Sequence, residues 1–377
     1  MQMVDLKGQY MRIKNEVDAA IQEVTDNTAF INGPAVKVFA QNLSDYMDGC
    51  HVIPCGNGTD ALQIALMALG LKPGDEVIVP AFTYVASAEV IGLLGLTPVM
   101  VDVDYETFNV TVDNIKKGLT DKTKAIIPVH LFGQSCDMEP ILNFAKEYGL
   151  FVVEDNAQAI GAAYTFSDGH QEKTGTMGTI GCTSFFPSKN LGCYGDGGAI
   201  FCKDDALADK LRMIANHGQR VKYHHDVIGC NSRLDSIQAA ILNVKLKHLD
   251  EYGQARRDAA HYYMEQLKAF DPEQQYFVTP VELEKSLHVY HQYTLKIKNC
   301  KRDALKQHLA EAGIPSMIYY PLPLQEQEAF KPIARAAGSL KVAKELAESV
   351  LSLPMHTEMT AEMQDIVINS VIDFFKR

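Results

Sequence analysis

No stretch of this chain approaches the roughly 18 to 20 consecutive apolar residues that a membrane-spanning helix needs, so no span is expected. The opening run Met1-Gln2-Met3-Val4-Asp5-Leu6-Lys7 lacks the apolar core of a secretory leader. Positive charge is in deficit: 35 Lys and Arg against 47 Asp and Glu give a formal charge of −12. That balance argues against bulk nucleic-acid binding, while a local cluster of donors still suits a small anion. The eight cysteines form no CxxC pair, and Cys50 and Cys55 are spaced too loosely for a zinc motif. All eight read as reduced thiols of a cytoplasmic protein. His224-His225 is no metal pair, because adjacent side chains on a strand or helix do not face one site. No metal is expected. Tryptophan, internal repeats and low-complexity segments are absent as well.

What is present is a hydrophobic fraction of 47% over 377 residues, enough for a sizeable core in one large and one smaller domain. Apolar runs at 51–54, 76–79, 98–103, 125–129, 150–153 and 198–202 read as strands. Helical patterns at 59–69, 86–94, 140–148 and 235–250 alternate with them. This alternation predicts a mostly parallel sheet covered by helices on its faces. After about residue 250 the pattern changes to helix 251–267, strand 292–297 and helices 302–312, 340–351 and 361–375. The expected division is therefore a large α/β domain over 1–250 and a small α+β domain over 251–377. The segment 318–323 reads as a loop stiffened by Pro321 and Pro323.

The chemistry centres on Lys189, in Ser184-Phe185-Phe186-Pro187-Ser188-Lys189-Asn190-Leu191-Gly192. A partly desolvated lysine loses its proton more readily and becomes a nucleophile able to form a Schiff base. About thirty residues upstream, Asp155 ends a strongly apolar strand. An acid there is costly unless paired, and the protonated nitrogen of pyridoxal 5′-phosphate (PLP) would pair it. Gln158, three residues on, could reach the ring's phenolic oxygen. Gly58 and Thr59 open a helix after a strand and a glycine turn, where free N–H groups and the helix dipole favour phosphate. Ser184 could donate to the same phosphate. Tyr84, just after the strand at 76–79, could stack on a flat ring. Asn231 and Arg233, in a loop entering a helix, could hold anionic groups. Plainer readings stand beside these: Thr59 or Asp60 as a helix cap, Asp155 as a cap, Ser184 bonded locally, Asn231 as a cap and Arg233 paired with Asp235. The run from Gly56 to Ala61 also fits a loose dinucleotide pattern. The acid it requires would be Asp75 or Glu76, and both precede the second strand where a ribose-binding acid should end it.

Taken together, Gly58-Thr59-Asp60-Ala61-Leu62, the run 153–162 and the run 184–192 resemble the DegT-type sugar aminotransferases. The likeness extends from Val4-Asp5-Leu6-Lys7-Gly8-Gln9-Tyr10 and Phe30-Ile31-Asn32-Gly33-Pro34 into the C-terminal part. It implies PLP fold type I, with the aspartate-aminotransferase-like architecture. It implies that Lys189 carries PLP and moves the proton, that Asp155 pairs with the ring nitrogen and that Gln158 contacts the ring oxygen. It further implies that Gly58, Thr59 and Ser184 hold the phosphate, that Tyr84 stacks on the ring and that Asn231 reaches the phosphate from the partner subunit of a homodimer. Related sugar dehydratases have histidine where this chain has Lys189, so the lysine favours amination.

Within the family, Pro128-Val129-His130-Leu131-Phe132-Gly133-Gln134, Tyr223-His224-His225 and Asn231-Ser232-Arg233-Leu234-Asp235 are similar to the branch that aminates carbon 3 of keto sugars. The resemblance implies UDP-2-acetamido-2-deoxy-3-oxo-glucuronate as substrate and glutamate as amino donor, in cell-surface polysaccharide or lipopolysaccharide precursor synthesis. Arg233, Tyr319 and Tyr320 fall where the substrate would sit. Relatives using TDP-3-keto-6-deoxyhexoses share the run from Asn231 to Asp235, and a 4-keto nucleotide sugar stays open too. Those relatives show His-Tyr-Pro where this chain has Tyr319-Tyr320-Pro321, and a phenol cannot replace an imidazolium as a charge partner. Two other classes remain beside this one: a non-catalytic regulatory protein on the PLP fold, disfavoured by intact Lys189, Asp155 and Gln158, and a nicotinamide oxidoreductase, disfavoured by the misplaced acid.

Overall fold

A computed structural model describes residues 1–376. Its largest element is an eight-stranded sheet built from β1 (His51–Cys55), β2 (Glu76–Pro80), β3 (Thr97–Val101), β4 (Thr123–Ile126), β5 (Phe151–Asp155), β6 (Ile180–Ser184), β7 (Gly198–Cys202) and β8 (Arg335–Ala337). The order across the sheet is β1-β7-β6-β5-β4-β2-β3-β8. Only β7 runs against the others, pairing antiparallel with β1 and β6. The fold is therefore the expected α/β class with a mostly parallel large sheet.

Strand alternation explains why both faces are covered. Val77 and Val79 pack with Leu62, Leu66, Ile91 and Leu346 on one face. Ile78, between them, packs with Val99, Ile126, Ile141 and Phe144 on the other. Towards β1 that second face is closed by helices Pro34–Tyr46 and Ser236–Leu246, through Phe39, Leu43, Ala239 and Leu242. Strands buried on both sides need near-continuous apolar sequence, which is why these runs were legible.

The C-terminal part holds a three-stranded antiparallel sheet of Phe277–Val278, Tyr293–Ile297 and Val350–Leu353. Helices Leu249–Phe270, Arg302–Glu311 and Ala361–Lys376 pack on it around Tyr263, Leu295, Leu309 and Val371. The pattern read as one helix over 340–351 divides here: helix Lys341–Ser349 ends and Val350 begins a strand. Pairing of Val350–Leu353 with Tyr293–Lys296 outweighs continued helical periodicity over so short a stretch. The helix expected over 235–250 likewise ends at Leu246, and the next starts at Leu249.

We propose residues 1–250 and 251–377 as the two folding units, with strands crossing between them: Ser286 and Leu287 pair with Tyr164 and Ala163, and a second strand joins the large sheet. Strand β8 comes from the second unit and pairs with β3 of the first. It is pinned there by Arg335, which donates to Glu76 at 2.9 Å and to the Gly118 carbonyl at 2.7 Å. Glu76 thus has a structural partner, and its carboxyl is held below the usual range by Arg335 and Thr120 against the opposing pull of burial.

Candidate active site

The site forms where strands end. Beyond the carboxyl ends of β1, β2, β5 and β6 lies a cleft of about 650 Å³, lined by Gly58, Thr59, Tyr84, Asp155, Gln158, Ser184, Lys189, Tyr319 and Tyr320 among others. Ligands of open α/β sheets occupy this position, and the size falls in the range of small-molecule sites. Nine of the eleven candidate residues thus meet around one space, although they are spread over more than 260 positions of sequence.

The end of the cleft that carries a helix N-terminus is built by β1 turning into helix Gly58–Leu69. Asn57 caps this helix, its side chain accepting from the Asp60 N–H at 2.8 Å. The cap is therefore neither Thr59 nor Asp60, which leaves Thr59 facing the cleft. Gly58 lies against β6: a Cβ placed there would sit 2.7 Å from the Ser184 Cβ. Absence of a side chain is what allows the helix N-terminus and the Ser184 hydroxyl to share one pocket. That hydroxyl also accepts from the Phe186 N–H at 3.3 Å. Ser232 supports the turn from outside, accepting from Gly56 N–H at 2.9 Å and donating to Asp60 at 2.6 Å.

Asp155 is 6% exposed at the end of β5. Its carboxylate accepts from Ser87 Oγ at 2.7 Å and from the Ala157 N–H at 3.0 Å. Neither partner is a cation, so a buried carboxylate faces the cleft with its charge unmatched by any salt bridge among the described residues. The preceding Glu154 is fully buried and spent on structure. It accepts from Gly175, Met177 and Gly178 N–H groups at 2.8, 2.7 and 2.5 Å and contacts His130 Nε2 at 2.9 Å. Because His130 Nδ1 accepts from the Cys136 N–H at 3.1 Å, its Nε2 carries the proton given to Glu154.

Lys189 approaches from the opposite wall, on a tight loop. A Cβ at Gly192 would lie 2.4 Å from the Pro187 carbonyl oxygen, so this turn also requires glycine. The loop is fixed from below by Lys245, itself buried, whose ammonium donates to the Gly192 carbonyl at 2.6 Å. Burial pushes the Lys189 amine down to about 8, against the opposing pull of Asp155. His291, beside it in the cleft, is held well below its ordinary range, by burial first and then by the positive charges of Lys189 and Arg256.

Gln158 accepts from the Phe132 N–H at 2.8 Å and donates to the Tyr320 hydroxyl at 3.0 Å. Tyr84 is 56% exposed at the mouth, its ring centroid 6.1 Å from that of Tyr320. Asn231 and Arg233 do not line this cleft within their own chain. Nor do they take the plainer roles. The following helix starts at Ser236 behind Asp235 with no capping side chain, and no Arg233–Asp235 ion pair forms among the described residues.

These groups fit PLP: an anion pocket at a helix N-terminus, an unpaired buried carboxylate for the ring nitrogen and an amine of depressed basicity between them. Sequence reasoning missed Ser87, Thr83, Asn57, Asp196 and His291. Only Asn57 carried a local signal, an Asn directly before a helical run. Ser87 is recognisable only once β5 is placed beside its helix.

Comparison with known proteins agrees with this geometry. The profile described as the DegT/DnrJ/EryC1/StrS aminotransferase family matches residues 11–372. A protein of Geobacillus stearothermophilus named a pleiotropic regulatory protein is 46% identical over 99% of this chain and 98% of its own length. The UDP-2-acetamido-2-deoxy-3-oxo-D-glucuronate aminotransferase of Pseudomonas aeruginosa is 46% identical over 94% of this chain and 95% of its own. The crystal structure of a DegT DnrJ EryC1 StrS aminotransferase from Brucella abortus superposes with a TM-score of 0.93 at 42% identity, covering 100% of both chains. By its sequence, its fold and the groups assembled at the strand ends, the chain belongs to the DegT/DnrJ/EryC1/StrS aminotransferase family.

Proposed function

We propose that this chain is a PLP-dependent transaminase of nucleotide-linked keto sugars that aminates carbon 3 of UDP-2-acetamido-2-deoxy-3-oxo-glucuronate, with glutamate as donor. The observation that carries the transaminase reading is the convergence of Lys189, Asp155 and the Gly58–Thr59–Ser184 pocket on one cleft. The sugar is supported by the likeness to the Pseudomonas enzyme and by the run from Asn231 to Asp235. A TDP-3-keto-6-deoxyhexose or a 4-keto nucleotide sugar is the competing substrate.

Each residue has one task in this reading. When bound, PLP supplies an electron sink for the carbon that exchanges its amine. Gly58, Thr59 and Ser184 bind the phosphate, and Asp155 keeps a proton on the ring nitrogen. Gln158 donates to the ring oxygen, and Tyr84 covers the ring face. Lys189 would anchor the cofactor through its amine, and its Nζ is the atom that would take up and return a proton; a basicity near 8 leaves a usable share of free amine at neutral pH. Tyr319 and Tyr320 flank the substrate. Asn231 and Arg233 serve the site of the partner subunit in a homodimer, which accounts for their absence from the cleft of their own chain. The name of the Geobacillus relative supports a regulatory reading, but a regulator has no need of a desolvated lysine facing an unpaired carboxylate.

The test is direct. Purified protein, PLP and glutamate are incubated with a panel of 3-keto and 4-keto nucleotide sugars, and mass spectrometry identifies which one gains an amine. Gain only on the 3-oxo-glucuronate derivative supports the full reading. Gain only on a 6-deoxyhexose or a 4-keto sugar removes the substrate assignment, and no gain on any removes the transaminase.

A further inference from the structure

We propose that Tyr320 is a positioning residue for the cofactor, acting through Gln158, and does more than line the substrate side of the cleft. This rests on the reading above that Gln158 meets the ring oxygen.

The argument starts with the amide. Gln158 is 7% exposed, and its oxygen accepts from the Phe132 N–H at 2.8 Å. That N–H belongs to a buried turn, with Leu131, Phe132 and Gly133 all enclosed and Phe132 at φ 58°. Flipping the amide would set its NH₂ against this fixed N–H, so the orientation is determined. The NH₂ must then point the other way, where the Tyr320 oxygen accepts one of its two hydrogens at 3.0 Å. The second hydrogen is left for the cleft. Without the phenol, nothing on that side would hold the nitrogen in place.

The phenol is itself held. Its ring packs against Phe82, Tyr84 and Tyr319, with centroids 6.2, 6.1 and 5.9 Å away. Burial raises its pKa well above the ordinary tyrosine range, so the hydroxyl stays protonated and neutral. Among the described residues this O–H donates to no protein acceptor. The phenol therefore meets the amide as an acceptor, and its part is to hold the remaining N–H of Gln158 toward the cleft. Sequence separation gives the contact a further meaning. Gln158 follows β5, whereas Tyr320 lies 162 positions later, in the loop carrying Tyr319 and Pro321. Movement of that loop changes the donor set offered to the ring.

The test compares Tyr320→Phe, Gln158→Ala and the double variant as PLP-loaded proteins without substrate. The readout is the pH midpoint of the visible cofactor absorbance. An oxygen with one donor fewer holds the neighbouring proton more tightly, so both single variants should move the midpoint up by about half a unit or more. The double variant should move it no further than the larger single change, because the two residues act in series. The other titratable groups lining the cleft (Asp60, Tyr84, Asp155, Lys189, Asp196, His291 and Tyr319) are the same in all three proteins. Tyr320→Leu is the control for packing: a shift matching that of Tyr320→Phe assigns the effect to the hydroxyl. A shift in Gln158→Ala with none in Tyr320→Phe overturns the positioning role, as do additive shifts or a Leu variant unlike Phe. If Gln158→Ala itself leaves the midpoint in place, the contact of Gln158 with the ring falls, and the role of Tyr320 falls with it. Failure of the transaminase reading would show separately, as the absence of a cofactor band in the unaltered protein.

Discussion

Replacing Lys189 by methionine should make the cofactor-free protein more stable while abolishing its activity. The amine sits in a site that lowers its basicity from 10.5 to about 8, so the ammonium is disfavoured in the folded chain relative to the unfolded one. The sign follows from proton counting. Between pH 8 and 10.5 the unfolded state binds more protons at this residue, so stability rises with pH across that window. Below about 8 the whole penalty applies. A gap of about 2.5 units corresponds to about 3 kcal/mol at pH 7, an upper value because the side chain looks partly into the open cleft. At about pH 9.5 the same relation leaves only about 1.4 kcal/mol. Methionine keeps the stem and removes the charge. Urea titrations of both proteins, stripped of cofactor, at about pH 7 and about pH 9.5 measure the two differences. Lys245 and Lys296 are pushed down to a similar range, but they are common to both proteins and cancel. A methionine variant no more stable than the parent at pH 7, or a gain that does not shrink as pH rises, would refute the claim that the site strains this amine.

Three further outcomes are expected. Gly58→Ala places a Cβ 2.7 Å from the Ser184 Cβ and should cost about 1–3 kcal/mol of PLP binding, read by dialysis; pyridoxal, which lacks the phosphate, should lose little, and equal losses would contradict the phosphate assignment. Asp155→Ala should lower kcat/KM by about 3 kcal/mol or more with the fold intact, and near-normal turnover would show that another group serves the ring nitrogen. Lys189→Ala and Asn231→Asp should each be nearly inactive as homodimers, yet subunit exchange between them should restore one site in which both native residues meet; a mixture that stays inactive removes the shared site.

The large sheet was legible because its strands are buried on both faces and so spell apolar runs. β6 was not, since Ile180-Gly181-Cys182-Thr183-Ser184 is short, contains glycine and ends in hydroxyls. β8 was invisible for a different reason: Arg335-Ala336-Ala337 has no strand character of its own and is ordered by pairing with β3 and by the Arg335–Glu76 contact. In the site, Asp155, Gly58 and Ser184 sit where a strand ends or a helix begins, and Lys189 lies in a loop bounded by glycine about thirty residues beyond Asp155, which is why they stood out. Ser87 and His291 matter through contacts across the fold, and nothing in their neighbours along the chain announces it. The occupation of Gln158 by Tyr320 belongs to the same category, for only the folded loop brings a residue from the second unit onto the floor of the first.

The lateness of β8 in the chain has a cost during biosynthesis. The outer edge of β3 is complete once Val101 has been made, yet its pairing strand follows about 230 residues later, an interval of roughly 10 to 50 s at ordinary translation speed. Throughout that interval an apolar edge (Val99, Met100, Val101) presents unpaired N–H and C=O groups to whatever strand arrives first, including the same edge of a neighbouring nascent chain. A fragment cut at residue 250 would keep that edge bare permanently, however well its own sheet formed. The ion pair between Arg335 and Glu76 then acts as a late clasp, closing the sheet only after nearly the whole polypeptide has left the ribosome.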